Sequence, residues 1–311
     1  EAYLSSGRAL SIHYARSFYV ASMLAANVDW SLMGSLCKTC LEVSGTLEFD
    51  EGLAWGLQWK SLYDFKSDAA VIRNLLEQAL RHCDRITDPW RKTVGRAQIW
   101  LRYGDFENRR KEYALADAKF DQLEIECQNA GGDPLLMGTA QLIQALDALR
   151  QGHLDRVDDL LIRAMENFYA LKSTQEIAWA LEIQGLLAMR KADPAGAVES
   201  FRQSLVLYEH LPMSKAVTER LTELMVAFAS GKHWRSTARV AGHLARAVAP
   251  DADIRSAIDG NTITDISKTD FANAIDASLA ALGPDQFDIE VSTGRAMSRE
   301  DTIKFALVCQ G

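Results

Sequence analysis

The sequence predicts an all-α fold, an α-solenoid of stacked antiparallel helix pairs closed by a small C-terminal helical cap. Three observations lead there. Small residues recur in register, with Gly104, Ala145 and Gly185 lying 41 and 40 residues apart. Only 6 prolines occur in 311 residues, and an interior proline costs a helix about 3 kcal/mol. After Pro250 the regular apolar period stops and a polar stretch follows.

One copy of the repeat is Ala178–His210, where Gly185 is followed by Ala197, Phe201 and Ser204. Small residues let two helices approach, and the aromatic ring fills the space between one pair and the next. Lys191-Ala192-Asp193-Pro194 forms the turn, with its proline placed to start the second helix. Upstream, Trp100, Tyr103 and Gly104 precede Ala116 and Phe120 in the same frame and match the repeat's signature better than any other segment. Between these units, Ala145, Val157, Leu161 and Ala164 flank the turn Gln151–Asp155. A fourth copy has Gly231 in its turn, then Ser236, Val240 and His243. A fifth, Trp55–Arg85, turns at Ser67 and continues through Ile72, Leu76 and Ala79. The runs Arg8–Ala25 and Asp29–Val43 make one further pair. This spacing resembles the tetratricopeptide (TPR) helix pair. The resemblance implies a right-handed array of five or six pairs over residues 1–249, although its usual period is 34. Longer helices or links account for the difference.

Residues 250–311 form the linker and cap. Asp251–Asp270 is polar, with a turn signal at Asp259-Gly260-Asn261. Phe271–Leu282 reads as a short helix ending at Gly283-Pro284. Ser298 with Asp301 three residues on is close to a capping box ahead of Ile303, Phe305, Ala306 and Leu307. Two short helices are therefore expected over the end of the array. The stretch Ala238–Arg246, with Leu282–Phe287, Gly294–Glu300 and Ala306-Leu307, resembles the tail of large ATP-binding bacterial regulators. These are the LuxR-type activators and related signal-transduction ATPases with TPR arrays. In that family an NTPase module precedes the repeats, and the repeats receive an effector or partner protein. The opening at Glu1, without methionine or signal-peptide pattern, reads as a fragment of something longer. No Gly-x-x-x-x-Gly-Lys-Ser/Thr loop occurs, and Gly231-Lys232 is followed by His233, so ATP binding is not carried over and no cofactor is expected.

Hydrophobic residues make up 48% and charged residues 24%, ample for a folded core. The net charge of -8 opposes direct contact with nucleic acid or an anionic membrane. No 18-residue apolar stretch is present to span a bilayer. Five scattered cysteines, an odd number, suit a reducing cytoplasm better than a disulfide scaffold. Cys37-Lys38-Thr39-Cys40 is a CxxC inside a helix with no sheet beside it. Two core thiols one turn apart describe it better than a redox or zinc site. The six histidines show no ligand spacing, and no nucleophile elbow occurs. The chain is accordingly expected not to be an enzyme and to hold no metal.

The feature that points to binding is a ladder. Arg109, Arg150 and Arg190 share one repeat position near the end of each first helix, a position expected to face the concave groove. Three guanidiniums there suit carboxylates or phosphates. Arginine is also favoured at a helix C-terminus by the dipole, which is the plainer account. Gln98, Asp105, Asn108, Thr139, Trp179 and Glu182 fall on the same expected face, Trp179 as a possible anchor. The sequence thus predicts an effector-sensing or protein-interaction region of a cytoplasmic bacterial signalling or transcriptional regulator. Its partner would be a protein, a peptide or a small molecule in the groove. The alternatives are a constitutive peptide-binding scaffold and an enzyme with a pocket between repeats and cap.

Overall fold

The computed structural model describes residues 30–64, 67–129, 133–209, 214–248, 254 and 266–309. Among them are fourteen helices and no strand. The run Arg8–Ala25 lies outside the described residues, whereas Asp29–Val43 falls largely on α1 (Trp30–Thr46). The pairs that follow are α2 (Asp50–Tyr63) with α3 (Ala69–Asp84), and α4 (Pro89–Arg109) with α5 (Tyr113–Asn129). Next come α6 (Pro134–Gln151), α7 (Leu154–Leu171), α8 (Thr174–Arg190), α9 (Pro194–Glu209), α10 (Ser214–Ser230) and α11 (Trp234–Val248). The described residues divide into two units between Asp147 and Ala148, within α6.

Local chemistry sets where helices begin. Asp88 Oδ1 accepts from the Arg91 amide at 2.9 Å with Pro89 at the first helical position. Asp193 Oδ1 accepts from the Gly196 amide at 2.9 Å ahead of Pro194, and Asp133 does the same for Leu135. A carboxylate cap satisfies an amide that the helix cannot, and proline has no amide to lose.

The ends repeat even more regularly. Lys111, Gly152, Ala192 and Lys232 all have positive φ, at 65°, 82°, 58° and 63°. In each turn the next residue's amide donates back to a carbonyl five residues earlier: Glu112 to Glu107, His153 to Ala148, Asp193 to Ala188 and His233 to Phe228. This is the left-handed helix stop that tethers otherwise orphaned carbonyls. Three of the four residues are not glycine, so hydrogen bonding and packing outweigh a backbone cost of about 1–2 kcal/mol each. The repeat is thus written into the backbone as well as the side chains.

The pairs pack as the small-residue spacing requires. A Cβ on Gly185 would lie 2.5 Å from the Phe201 ring, and one on Gly104 would overlap the Phe120 ring. Ala116, Phe120, Ala197 and Phe201 are all buried. In the first unit, Ile72, Leu76, Ala79 and Cys83 of α3 join Ile99, Tyr103 and Phe106 of α4 in one core. Cys37 and Cys40 are buried core thiols, with Cys37 Sγ donating to the Gly56 carbonyl at 3.1 Å. Burial pushes the Cys37 and Cys83 thiols up to about 12 and Cys127 up to about 11, so none is a ready thiolate at neutral pH.

The C-terminal region has three helices where two were expected: α12 (Lys268–Leu282), α13 (Pro284–Ala296) and α14 (Arg299–Val308). The overlooked one is α13, because Gly283-Pro284 reads as a link. Gly283, at φ 75°, turns the chain, and Pro284 then starts a helix as its first residue. The Ser298–Asp301 cap is present, with Ser298 Oγ accepting from the Asp301 amide at 3.0 Å. These helices pack on α10 and α11 inside the second unit, so its contacts run through the 249/250 boundary that the sequence suggested. α11 and α13 meet backbone to backbone: a Cβ on Gly242 would strike the Val291 carbonyl, and one on Gly294 the Arg239 carbonyl. Arg239 Nε bonds the buried Glu290 at 2.9 Å, and its guanidinium lies 4.9 Å from the Phe305 ring centroid. Arg202 Nε donates to the Ala306 carbonyl at 2.8 Å, gripping the last turn of α14.

Candidate functional site

The first helices of successive repeats, α6, α8 and α10, end at one cavity of about 460 Å³ in the second unit. Arg150, Arg190 and Ser230 all line it. They are the same repeat position, 40 residues apart each time. Leu149, Leu186, Met189, Val226 and Ala229 supply apolar walls from the same three helices. The remaining wall is α12, through Asp270, Asn273, Ala274 and Ala277, with Ile266 just ahead of it. Their spacing of three to four residues is one face of a helix.

The charges around this cavity are uneven. Three helix C-termini bring carbonyl ends toward it, which favours cations there. Arg150 and Arg190 are both exposed on its wall. Asp270 is the one carboxylate among the described lining residues, and it is committed to the α12 cap. Its Oδ2 accepts from Ser267 Oγ at 2.7 Å and from the Ser267 amide at 3.1 Å.

The third member of the expected ladder behaves differently. Arg109 belongs to the first unit and does not line the cavity. Its Nε donates to both Asp105 oxygens, at 3.0 and 3.1 Å, one turn back on α4. The residues at the same offset before Arg150 and Arg190 are Leu146 and Leu186. The carboxylate that pairs with Arg109 one turn back therefore has no counterpart before Arg190.

The other expected groove residues scatter. Gln98 is partly buried, and its carbonyl accepts from Gln58 Nε2 at 3.2 Å. Asp105 and Asn108 are buried rather than open, at 8% and 2% exposure. Asp105 is drawn in by Arg109 and by Arg102 at 3.6 Å, while both side-chain amide atoms of Asn108 lack hydrogen-bond partners. Thr139 Oγ1 donates to the Leu135 carbonyl of its own helix at 2.7 Å. Trp179 is partly buried on α8.

Glu182, one turn beyond Trp179, leads to a cluster that sequence reasoning missed. Arg220 of α10 is 1% exposed and pairs with Glu182 through Nη1 and with Glu223 through Nη2, the latter at 2.9 Å. The Tyr208 ring centroid lies 5.8 Å from its guanidinium. Burial opposes the charge on Arg220, but the two carboxylates outweigh it and hold its pKa above the usual range. Burial foremost, and Glu182 after it, push the Tyr208 phenol up. Two carboxylates and one guanidinium thus tie α8 to α10 beneath the repeat's first-helix face. Nothing in the polar-looking stretch Ser214–Leu224 marks Arg220 as interior. Ser230, by contrast, was findable by adding 40 to Arg190.

Among the described residues, no group of three or more His, Cys, Asp or Glu side chains is placed to hold a metal ion. No described helix is long and apolar enough to cross a membrane. Comparison of the chain with protein-family models, curated proteins and solved structures gives no match. The class it belongs to is set by its own geometry, an all-α helical-repeat protein with a cavity where three repeat ends meet a C-terminal helix.

Proposed function

We propose that this chain is the effector-sensing, partner-binding region of a larger signalling or transcriptional regulator of the bacterial cytoplasm, non-catalytic in itself. One observation carries the reading. The cavity is walled by equivalent positions of three successive repeats and by α12, so an occupant contacts four helices from separate parts of the second unit. Occupancy then favours one spacing of α6, α8, α10 and α12 over others, and that spacing is the signal passed to attached domains. The energetic requirement is a difference in affinity between two arrangements, about 1–3 kcal/mol for a typical coupling. The regulator family that the tail resembles supplies the wider context. Its repeats receive effectors or partner proteins.

Small-angle scattering of the chain, with and without a saturating effector or partner peptide, tests the sensing. A changed envelope is expected. An unchanged envelope at proven saturation would reject sensing and leave a constitutive binding scaffold.

A further inference from the structure

The cavity also has a chemistry, and this inference rests on the sensing reading for its biological role but not for its test. Repeat proteins of this kind place an arginine at the end of a first helix at no great cost, because the dipole favours it. In α4 the guanidinium of Arg109 is neutralised by Asp105 one turn back. In α8 the corresponding partner is Leu186, itself a cavity wall, and Arg190 makes no ion pair or hydrogen bond among the described residues. Arg150 lines the same space. The only carboxylate among the described lining residues is held by Ser267, and Ser230 and Asn273 add hydroxyl and amide groups. Beside these lie the apolar walls of Leu149, Val226, Ala274 and Ala277.

We propose that this cavity is a binding site for a small amphipathic oxyanion, a carboxylate or phosphate head on an apolar body. Arg190 takes the head, since a guanidinium fork matches either group in bidentate fashion, and Arg150 adds positive charge on the same wall. Ser230 and Asn273 supply further hydrogen bonds, and the leucine, valine and alanine side chains take the body. The volume of about 460 Å³ falls within the range of small-molecule sites, about 300–1,000 Å³.

Titration calorimetry on the intact chain with octanoate, octyl phosphate and octan-1-ol tests it. Both anions should bind at least about tenfold more tightly than the alcohol, which shares the body but lacks the charge. Arg190→Gln should remove that preference, and Arg109→Gln, already paired with Asp105, should leave it intact. Stronger binding of octyl phosphate assigns the head to phosphate, and stronger binding of octanoate assigns it to carboxylate. Equal binding of the alcohol, no binding of either anion, or equal losses in the Arg109 and Arg190 variants would each overturn the site. The comparison of charged and neutral probes on the unaltered chain decides the matter even if a variant misfolds. Scattering on the same samples separates the two readings. Anion binding with an unchanged envelope rejects sensing and keeps the site, whereas failure of the anions leaves sensing of another partner intact.

Discussion

The repeat formed by α4 and α5 and the repeat formed by α8 and α9 share a packing solution and differ in what they do with it. In both, a glycine on the first helix faces a phenylalanine sixteen residues on, Gly104 with Phe120 and Gly185 with Phe201. In both, the first helix ends in an arginine, and a non-glycine residue at positive φ follows two positions later. The difference is one turn before that arginine, where Asp105 stands in one and Leu186 in the other. Interior positions are bound by close packing and leave little freedom. The two repeats part at a position that is buried in both but filled differently, by a carboxylate paired with arginines in one and by an apolar cavity wall in the other.

The shared half of that comparison gives the largest expected effect. Phe201→Ala and Phe120→Ala should each cost about 3–5 kcal/mol, measured by urea denaturation of the chain. Both rings are buried, at 0% and 3% exposure, against a glycine that cannot fill the space left behind. Costs differing by more than about 2 kcal/mol would break the claim that the two nests are equivalent.

An effect of similar or slightly smaller size belongs to the second unit. Arg220→Ala leaves Glu182 and Glu223 without their shared cation, and Glu223 is fully buried. Removing one partner of a buried ion cluster costs about 3–5 kcal/mol. Arg220→Ala with Glu223→Gln should recover part of that loss in the same unfolding assay. No recovery would mean that Arg220 acts by packing against Tyr208 rather than by charge.

What the sequence made legible follows from this division. Gly104, Phe120, Gly185 and Phe201 could be placed because close helix contact demands small residues at fixed spacing. The turns could be placed because glycine, proline and aspartate punctuate them. The pairing of Arg109 with Asp105 was legible too, as an acid four residues before a base on one helix. The ladder reading weighed the shared repeat position of Arg109, Arg150 and Arg190 without the residue one turn before each, and so treated Arg109 and Arg190 as alike. The position of α12 against the ends of α6, α8 and α10 was not legible. It is a contact across a long span of chain, and only its own apolar face, Phe271, Ala274, Ile275 and Ser278, could be read locally. Arg220 was hidden because a buried cation has the same letter as an exposed one.

The C-terminal helices sharpen the contrast by adding a pH response of their own. His243 of α11 donates from Nδ1 to the Met297 carbonyl at 3.3 Å. Burial lowers its pKa, Arg246 and Arg299 add to that, and the Met297 carbonyl opposes it. The unfolded chain therefore takes up a proton on this histidine at a higher pH than the folded chain does. Stability should be full above about pH 6.5, fall as the pH drops below that value, and level off beneath the folded pKa. His243→Gln should flatten this slope in thermal unfolding between pH 7 and 5. An unchanged slope would place the response elsewhere.

The smallest effect tests the comparison most directly. Arg109→Gln and Arg190→Gln both forfeit the same interaction with a helix C-terminus, so that contribution cancels between them. What remains is the Asp105 pair, which α8 lacks. Such a pair on a helix is worth about 0.2–0.5 kcal/mol, and Arg109 is half exposed, so solvent keeps it at that scale. Arg109→Gln should therefore be the more destabilising by that margin at low ionic strength. The gap should close in 1 M salt, where screening acts over about 3 Å. A gap that survives high salt would mean that Arg109 is held by packing, and the electrostatic distinction between the two repeats would then no longer explain why α8, unlike α4, offers a guanidinium to a cavity.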